Sequence, residues 1–314
     1  MKLAFVFPGQ GSQSVGMLRD YAAHDVVRST LEEASAVLGQ DLWRLVEEGP
    51  EADLNQTANT QPVMLAADVA VYRAWAAEGG PSPRMVAGHS LGEYAALVAA
   101  GVMTLAQGLQ VVRARGQAMQ AAVPAGAGGI AAVLGLEPSQ VDEACAEASA
   151  GEVVSAANLN APGQVVISGT RAAVERALEA CKARGAKRAV MLPMSVPAHC
   201  ALMKPASATL SAALAGVEMR PPSIPVINNV DVAAAGDPDG IRDALVRQLY
   251  SPVRWIETVQ SLEGAGCTHI VECGPGKVLH GLVRRIVTGA ASITLSSSQA
   301  IVEACQTLNQ ETPQ

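Results

Sequence analysis

Aromatic residues are scarce in this sequence. They make up 3% of its 314 residues, whereas the hydrophobic set as a whole makes up 49%. The core must therefore be built from Ala, Val, Leu and Ile, which suits alanine-rich helices packed on β-branched strands. Charged residues are also few, at 16%, and they sum to a net charge of −7. Without a broad basic surface, a general nucleic-acid-binding role is excluded.

Paired cysteines and long apolar runs are missing as well. The six cysteines show no CxxC spacing, so we predict neither a disulfide framework nor a metal site. The N-terminal apolar run LAFVF is too short for a signal peptide, and no run reaches the length of a membrane span. We therefore expect a cytoplasmic protein that binds neither membranes nor nucleic acids, with a monomer favoured.

Strand-like and helix-like segments alternate along the chain, which predicts an α/β fold with a mostly parallel sheet. Residues 126–194 follow a different order, βαββαβ, which is typical of a ferredoxin-like unit. We predict that this small subdomain is inserted into a larger α/β subdomain formed by residues 1–125 and 195–314. The predicted strands include 187–194 (KRAVMLPM) and 224–229 (IPVINN).

The sequence Gly88-His89-Ser90-Leu91-Gly92 has the spacing of a nucleophile on a sharp turn between a strand and a helix. Bulky side chains two positions from the serine would clash in such a turn, and glycine avoids the clash. The N–H groups at the start of the following helix favour negative charge at the same place. We predict that Ser90 is a catalytic nucleophile and that His89 is a packing or hydrogen-bonding residue.

A glycine-rich loop, FPGQGSQ, follows the first strand. The dinucleotide pattern fails because Ser14 occupies the position of the third glycine, and the Gly-Lys-Ser/Thr of a P-loop is absent. Gln10, between Gly9 and Gly11, is instead a candidate to present its backbone N–H to an oxyanion, together with the N–H of Leu91. An ordinary strand-to-helix turn explains the spacing equally well.

His199 is the candidate general base among five histidines. It ends a loop that Pro193 and Pro197 stiffen, and a base must be held within hydrogen-bond reach of its serine. No acidic residue stands out as a third member, so a Ser-His dyad and a full triad both remain open. Structural or surface roles are assigned to the other histidines outside the serine turn: His24, His269 and His280.

Helical periodicity places Arg115 on the edge of an apolar arc and Arg113 towards the polar side of the same helix. A cation on a core-directed face reaches solvent, pairs with a protein carboxylate or binds an anionic ligand. Periodicity alone favours the structural ion pair. A serine nucleophile nearby makes a carboxylate on the acyl group a strong alternative, in which a bidentate contact contributes about 1.5–3 kcal/mol.

Seven motifs occur in one order across nearly the whole chain: FPGQGSQ, GHSLGEY, RARGQAM, NAPGQVVISG, VPAHCALMKP, RQLYSPVRW and ECGPGK. Together they resemble the malonyl-CoA:acyl carrier protein transacylases of fatty acid synthesis and the related acyltransferase domains of polyketide synthases. The resemblance implies an α/β-hydrolase-like large subdomain with the ferredoxin-like one inserted. It also implies ping-pong transfer of malonyl from malonyl-CoA to the phosphopantetheine thiol of acyl carrier protein, without a metal or redox cofactor.

The resemblance also implies roles for single residues. Ser90 matches the acylated nucleophile, His199 its base and Arg115 the group that holds the malonyl carboxylate. The backbone N–H groups of Gln10 and Leu91 match the oxyanion hole of the family.

Gln248, in RQLYSPV, matches the residue whose backbone carbonyl orients the imidazole in this family, which would replace the missing acid. Ala198 departs from the pattern, in which serine commonly precedes this histidine, and a minor hydrogen bond is lost. The carrier protein is typically acidic, so basic residues would dock it, although each is equally explained as a solvated charge. The candidates are Lys182, Arg184, Lys187, Arg188, Lys277, Arg284 and Arg285.

Other functions remain open at this point. A polyketide acyltransferase acting in trans and a carrier-protein-directed acyl hydrolase share the serine turn, and a non-catalytic carrier-binding module is a third class. A hydrolase of neutral acyl groups has no use for Arg115, which argues against the acyl hydrolase. The sequence leaves open fatty acid synthesis, polyketide synthesis and malonate decarboxylation, and whether methylmalonyl or longer acyl groups are accepted.

Overall fold

A computed structural model of the protein describes residues 1–194 and 196–311. Its strands are β1 (Leu3–Phe7), β2 (Met85–Gly88), β3 (Gly128–Leu134), β4 (Val154–Ala161), β5 (Gln164–Thr170), β6 (Arg188–Met191), β7 (Val226–Ile227), β8 (His269–Glu272) and β9 (Ala291–Thr294). Its helices are α1 (Asp25–Leu38), α2 (Leu42–Glu48), α3 (Glu51–Leu54), α4 (Thr57–Ala77), α5 (Gly92–Ala99), α6 (Leu105–Ala121), α7 (Pro138–Ser149), α8 (Arg171–Ala183), α9 (Ser207–Ala215), α10 (Pro238–Gln248), α11 (Trp255–Gly264), α12 (Val278–Ile286) and α13 (Ser298–Gln310). Two short 3₁₀ helices lie at Arg19–Tyr21 and Ala201–Ala206.

Five strands form a wholly parallel sheet in the order β7-β2-β1-β8-β9. All five residues of β1 are buried, as expected of a central strand covered on both faces. The carboxyl ends of parallel strands meet at one edge, and this edge carries the FPGQGSQ loop after β1 and the serine turn after β2. The mostly parallel sheet predicted from the sequence is confirmed.

The second sheet is antiparallel, with the order β4-β5-β3-β6. Helices α7 and α8 pack on it and share a separate hydrophobic core, which includes Val133, Val165 and Ile167. The βαββαβ order is therefore confirmed, and all of its elements lie between residues 128 and 191. The subdomain boundaries at 125/126 and 194/195 stay a prediction, and residues 195 and 312–314 of the predicted second half lie outside the described residues.

Two strands are shorter than predicted. The predicted strand 187–194 ends at Met191 because Pro193 cannot donate a hydrogen bond to a ladder. The predicted strand 224–229 keeps only Val226 and Ile227. Its two asparagines leave the ladder: Asn228 Oδ1 accepts from the backbone of the next turn, and Asn229 turns towards the serine loop.

The two subdomains are joined by backbone hydrogen bonds. The Leu159 N–H donates to the carbonyl of Val253 at 2.9 Å, and the Val253 N–H donates to the carbonyl of Ala157 at 2.8 Å. Irregular register on either side of this contact, within β4, marks β-bulges. Strand β4 is thereby bent against the large subdomain. Within residues 1–194 and 196–311, no helix has both the length and the apolar character needed to cross a bilayer.

Candidate active site

Ser90 lies on a strained turn between β2 and α5. Its φ is 52°, in the left-handed region that non-glycine residues rarely adopt. A Cβ on Gly88 would lie 1.9 Å from the carbonyl carbon of Gly92, and a Cβ on Gly92 would lie 2.0 Å from the carbonyl oxygen of Phe7. Both glycines are therefore required by close backbone approach, which is the reason that the sequence spacing predicted. The turn is held by a 2.7 Å hydrogen bond from the Ser90 N–H to Asn229 Oδ1.

His199 is oriented by backbone rather than by a carboxylate. Its Nε2 lies 2.7 Å from Ser90 Oγ, and its Nδ1 lies 2.8 Å from the carbonyl oxygen of Gln248. A carbonyl only accepts hydrogen bonds, so Nδ1 carries the proton and Nε2 is left to accept from the serine. In the described part of the chain no acidic side chain hydrogen-bonds this imidazole. Of the two arrangements that the sequence left open, the geometry fits a Ser-His dyad.

The surroundings of His199 keep its imidazole neutral. The residue is 4% exposed, and burial together with the charge of Arg115 lowers the pKa of His199 to about 3. A neutral imidazole at neutral pH is the form that can take a proton from a hydroxyl. The His199 backbone has φ 62°, and its N–H donates to the carbonyl of Leu249 at 2.9 Å. The loop thus holds the base in an uncommon conformation.

Arg115, on α6, is 1% exposed and reaches the nucleophile. Its Nη2 donates to Ser90 Oγ at 3.3 Å and to Gln248 Oε1 at 3.0 Å, and its Cζ lies 5.5 Å from the centre of the Tyr94 ring. No carboxylate of the described residues forms an ion pair with this guanidinium. The structural ion pair favoured by periodicity is therefore wrong, because the Gln248 amide lies between the guanidinium and the buried carboxylate of Glu93. A buried cation without an ion-pair partner is suited to an anionic ligand.

The FPGQGSQ loop presses its backbone against the serine turn. A Cβ on Gly9 would lie 2.3 Å from the carbonyl oxygen of His89, so only glycine fits there. Gln10 and Leu91 line the same cavity as Ser90, and neither backbone N–H has an acceptor among residues 1–194 and 196–311. Two unused N–H groups beside a nucleophile suit an oxyanion hole. The oxyanion role of both residues stays a prediction.

A buried polar network beneath the turn is not predicted by the sequence analysis above. Glu93 Oε2 accepts from the Asn229 N–H at 2.9 Å and from Gln248 Nε2 at 2.8 Å. Gln248 Nε2 also donates to the Ser90 carbonyl at 3.1 Å, and Asn229 Nδ2 donates to the Gly88 carbonyl at 2.7 Å. The side chains of Glu93 on α5, Asn229 after β7 and Gln248 at the end of α10 thus hold the serine turn in place.

The sequence did carry signals for this network. Glu93 is the sole charge in the otherwise apolar helix GEYAALVA, and its pKa is raised to about 7 by burial. Asn229 follows an apolar strand at the carboxyl edge of a parallel sheet, where polar side chains meet ligands or one another. The family resemblance implies a role only for the backbone of Gln248, whereas its side chain contacts Arg115, Ser90 and Glu93.

A cavity of about 200 Å³ opens above Ser90, between the two subdomains. Ser90, His199 and Arg115 line it together. Its remaining wall is mostly apolar and combines residues of the small subdomain and of α12: Ile130, Val166, Leu192, Val278, Leu279 and Leu282. Val278 is 47% exposed at its rim. The site therefore offers a cation and a nucleophile in a cavity whose wall is mostly apolar but also includes Asn158, Asn160 and Gln164.

A sequence profile described as the acyl transferase domain matches residues 4–304. This chain belongs to the acyl transferase family. The resemblance read from the seven motifs is thereby confirmed. Membership of this family makes the protein an acyltransferase. A serine and a neutral histidine 2.7 Å apart fit this activity.

Malonyl-transferring members of the acyl transferase family are similar to this chain over nearly its whole length. The malonyl CoA-acyl carrier protein transacylase of Escherichia coli K12 is 54% identical over 306 residues, which cover 97% of this chain and 99% of that protein. A crystal structure of an acyl-carrier-protein S-malonyltransferase from Burkholderia pseudomallei is 56% identical, with a TM-score of 0.96 and coverage of 98% and 100%. The malonyl-transacylase in a structure with its type II polyketide synthase acyl-carrier protein is 51% identical, with the same TM-score and coverage.

Some basic candidates for carrier docking are engaged within this acyltransferase. Lys182 pairs with Glu179 at 2.7 Å, Arg184 pairs with Glu147 at 2.6 Å, and Arg285 donates to the Pro162 carbonyl at 2.7 Å. Within the described ranges, ion pairs are absent from the other candidates: Lys187, Arg188, Lys277 and Arg284. The docking role of all seven stays a prediction, and the unpaired four are its better candidates.

His89 and Arg113 make structural contacts. His89 Nε2 lies 2.8 Å from Asn160 Oδ1, and its ring packs edge-on against Trp255, so it is a packing and hydrogen-bonding residue. Arg113 donates to the Leu38 carbonyl at 2.9 Å and to Gln40 Oε1 at 2.8 Å. All six cysteines are free and buried. In the part of the chain that the structure describes, no cluster of three or more His, Cys, Asp or Glu side chains is placed to hold a metal ion.

Proposed function

We propose that this acyltransferase moves a malonyl group from malonyl-CoA to the phosphopantetheine thiol of acyl carrier protein through an acyl-serine. The observation that carries the proposal is Arg115, a buried cation 3.3 Å from Ser90 Oγ that no carboxylate neutralises directly. An acyl group on Ser90 with a free carboxylate would contact it. The similar malonyl CoA-acyl carrier protein transacylases support the same substrates.

The acylation step uses the geometry of the dyad. Ser90 Oγ attacks the thioester carbonyl while His199 Nε2 takes its proton, and the Gln248 carbonyl steadies the imidazolium through Nδ1–H. The N–H groups of Gln10 and Leu91 hold the tetrahedral oxyanion. When the carbonyl re-forms, the C–S bond breaks, and His199 returns the proton to the departing CoA thiolate.

The second step repeats the first with a different thiol. The phosphopantetheine thiol gives its proton to His199 and attacks the acyl-serine carbonyl, and the same N–H groups hold the oxyanion. Collapse breaks the ester bond to Ser90, whose oxygen recovers the proton from His199. No metal or redox cofactor takes part in this scheme. Six free cysteines suit a reducing compartment, which supports the proposal that the reaction takes place in the cytoplasm.

The proposal is tested by intact-protein mass after incubation with malonyl-CoA, and then with carrier protein bearing its phosphopantetheine arm. We expect a stable malonyl adduct that Ser90→Ala abolishes, and its transfer to the carrier on addition. Malonate released rapidly in the absence of a thiol acceptor would overturn the proposal in favour of a hydrolase. Retained carrier binding in Ser90→Ala without any loading in the unmodified protein would favour a non-catalytic module.

A further inference from the structure

Two opposite charges are buried beneath the nucleophile without touching. Arg115 Nη2 lies 3.0 Å from Gln248 Oε1, and Glu93 Oε2 lies 2.8 Å from Gln248 Nε2. Glu93 is 2% exposed and Arg115 is 1% exposed. One amide thus separates a buried carboxylate from a buried guanidinium. Neither charge is left without compensation in a low-dielectric interior, yet they do not form a direct ion pair.

The amide can take only one orientation. Its NH₂ group faces the Glu93 carboxylate and the Ser90 carbonyl, both of which only accept, and its oxygen faces the Arg115 guanidinium, which only donates. A flipped amide would oppose like partners at all three contacts. Gln248 therefore transmits the charge of Glu93 towards Arg115 and occupies one N–H of the guanidinium with a neutral oxygen.

A second anion at Arg115 changes this balance. When the carboxylate of an acyl group contacts the guanidinium, two negative groups share one buried positive charge, and the carboxylate without a direct contact to the cation is the easier one to protonate. We propose that Glu93 is the proton-linked counter-charge of Arg115: it balances the guanidinium through Gln248 in the free enzyme and takes up a proton from solvent when an acyl carboxylate binds. This inference rests on the proposed function.

The charged groups around Glu93 support this direction. Arg115 from α6 is the cation that faces it, and Tyr94 lies on its own helix. Asp231, after β7, is the other nearby acid, and Arg247 holds it in a two-point ion pair at 2.8 Å. A cavity of about 10 Å³ lies behind Glu93, lined by α5, β7 and α10. Its size is close to that of one water.

Binding of malonyl-CoA should depend on pH because the bound carboxylate changes the pKa of Glu93. Burial raises the pKa of Glu93 to about 7, and Arg115 and the two hydrogen-bond donors oppose that rise. A bound acyl carboxylate weakens the opposing effect of Arg115, so the pKa of Glu93 rises further and binding takes up a proton. Malonyl-CoA must then bind more tightly below neutral pH than above it.

The test is the KM of acyl loading between about pH 6 and about pH 9, for malonyl-CoA and acetyl-CoA. We expect the malonyl KM to rise with pH, by at most about tenfold per pH unit, because one proton is linked. The acetyl KM should stay level, since acetyl lacks the carboxylate and shares every other titrating group of CoA. Glu93→Gln, which resembles the protonated acid, should hold the malonyl KM near its low-pH value throughout.

A second measurement does not depend on kinetics. Calorimetry of malonyl-CoA binding to Ser90→Ala, in buffers of different ionisation enthalpy, should report proton uptake that Glu93→Gln abolishes. A malonyl KM that is level in the unmodified enzyme, or that keeps its pH dependence in Glu93→Gln, would overturn the role of Glu93 and leave malonyl transfer standing. Absence of malonyl loading at every pH would overturn the proposed function itself. If Glu93→Gln does not fold, the malonyl and acetyl profiles of the unmodified enzyme still decide.

Discussion

Arg115 influences the groups around it beyond any contact with substrate. Its charge is the second cause, after burial, of the lowered pKa of His199, and it opposes the raised pKa of Glu93. Both effects are electrostatic and act through a few ångströms of protein from which water is largely excluded. One buried cation, acting together with burial, therefore keeps the histidine unprotonated, and it also favours an ionised Glu93.

Replacing this cation should change substrate preference. Arg115→Ala is expected to lower kcat/KM for malonyl loading by roughly 10- to 150-fold more than for acetyl loading, which corresponds to a charge-assisted contact of about 1.5–3 kcal/mol. The measurement is the rate of serine acylation with each CoA ester. Arg113→Ala is the matched control, since Arg113 lies on the same helix and its side chain, within the described residues, hydrogen-bonds to Leu38 and Gln40 rather than to Ser90. Equal losses with both esters would remove the carboxylate role from Arg115.

The lowered pKa of His199 predicts an unusual acid profile. An ordinary histidine base, with a pKa of about 6.5, loses most of its function by about pH 5. Because His199 has a pKa of about 3, kcat/KM for acetyl loading should stay nearly level between about pH 7.5 and about pH 5. Arg115→Ala should move the decline to higher pH, because it removes one cause of the lowering. A half-loss of activity near pH 6.5 in the unmodified enzyme would contradict this.

The strands and helices contribute to the active site mainly through the positions at which they begin and end. Strands β1, β2, β7 and β8 are parallel neighbours, so the loops that follow them meet at one edge of the sheet. Helix α5 begins two residues after Ser90, close enough that its first residue touches the end of β1. The nucleophile is thereby placed by the packing of a helix against a strand end.

This packing can be tested with a pair of glycines. Gly92→Ala places a methyl group 2.0 Å from the Phe7 carbonyl oxygen, so the backbone must shift. We expect a loss of about 1–3 kcal/mol in the free energy of unfolding, measured in urea, and a loss of acyl loading. Gly281→Ala, in α12 with open space around its Cβ position, should instead gain up to about 1 kcal/mol. Equal stability changes at the two positions would contradict the close approach.

At the scale of the whole molecule, the two subdomains contribute different parts of the active site. The large one carries Ser90, His199 and Arg115, and the small one supplies part of the apolar wall of the cavity through β3, β5 and the segment after β6. The backbone bonds between β4 and Val253 hold the two together beside the site. Access to Ser90 therefore depends on how the small subdomain sits on the large one.

Local patterns were enough for the features that depend on local sequence. The glycine spacing around Ser90 predicted the turn because the clash it avoids lies within five residues and one neighbouring strand. The proline-stiffened loop pointed to His199 as the base, whereas Gln248 was reached only through family resemblance, since 49 positions of chain separate the imidazole from the carbonyl that orients it. Spacing alone has no means of showing that contact.

The sequence by itself determined the element order, the strained serine turn and the presence of a cation on a core-directed helix face, because these follow from periodicity and from sterics between near neighbours. Only the tertiary structure decided what that cation contacts. Glu93, Asn229 and Gln248 come from three distant segments, and they meet because a parallel sheet gathers its loops at one edge. Their hydrogen bonds keep the carboxylate one amide away from Arg115, and long-range packing of this kind leaves no periodic trace in the chain.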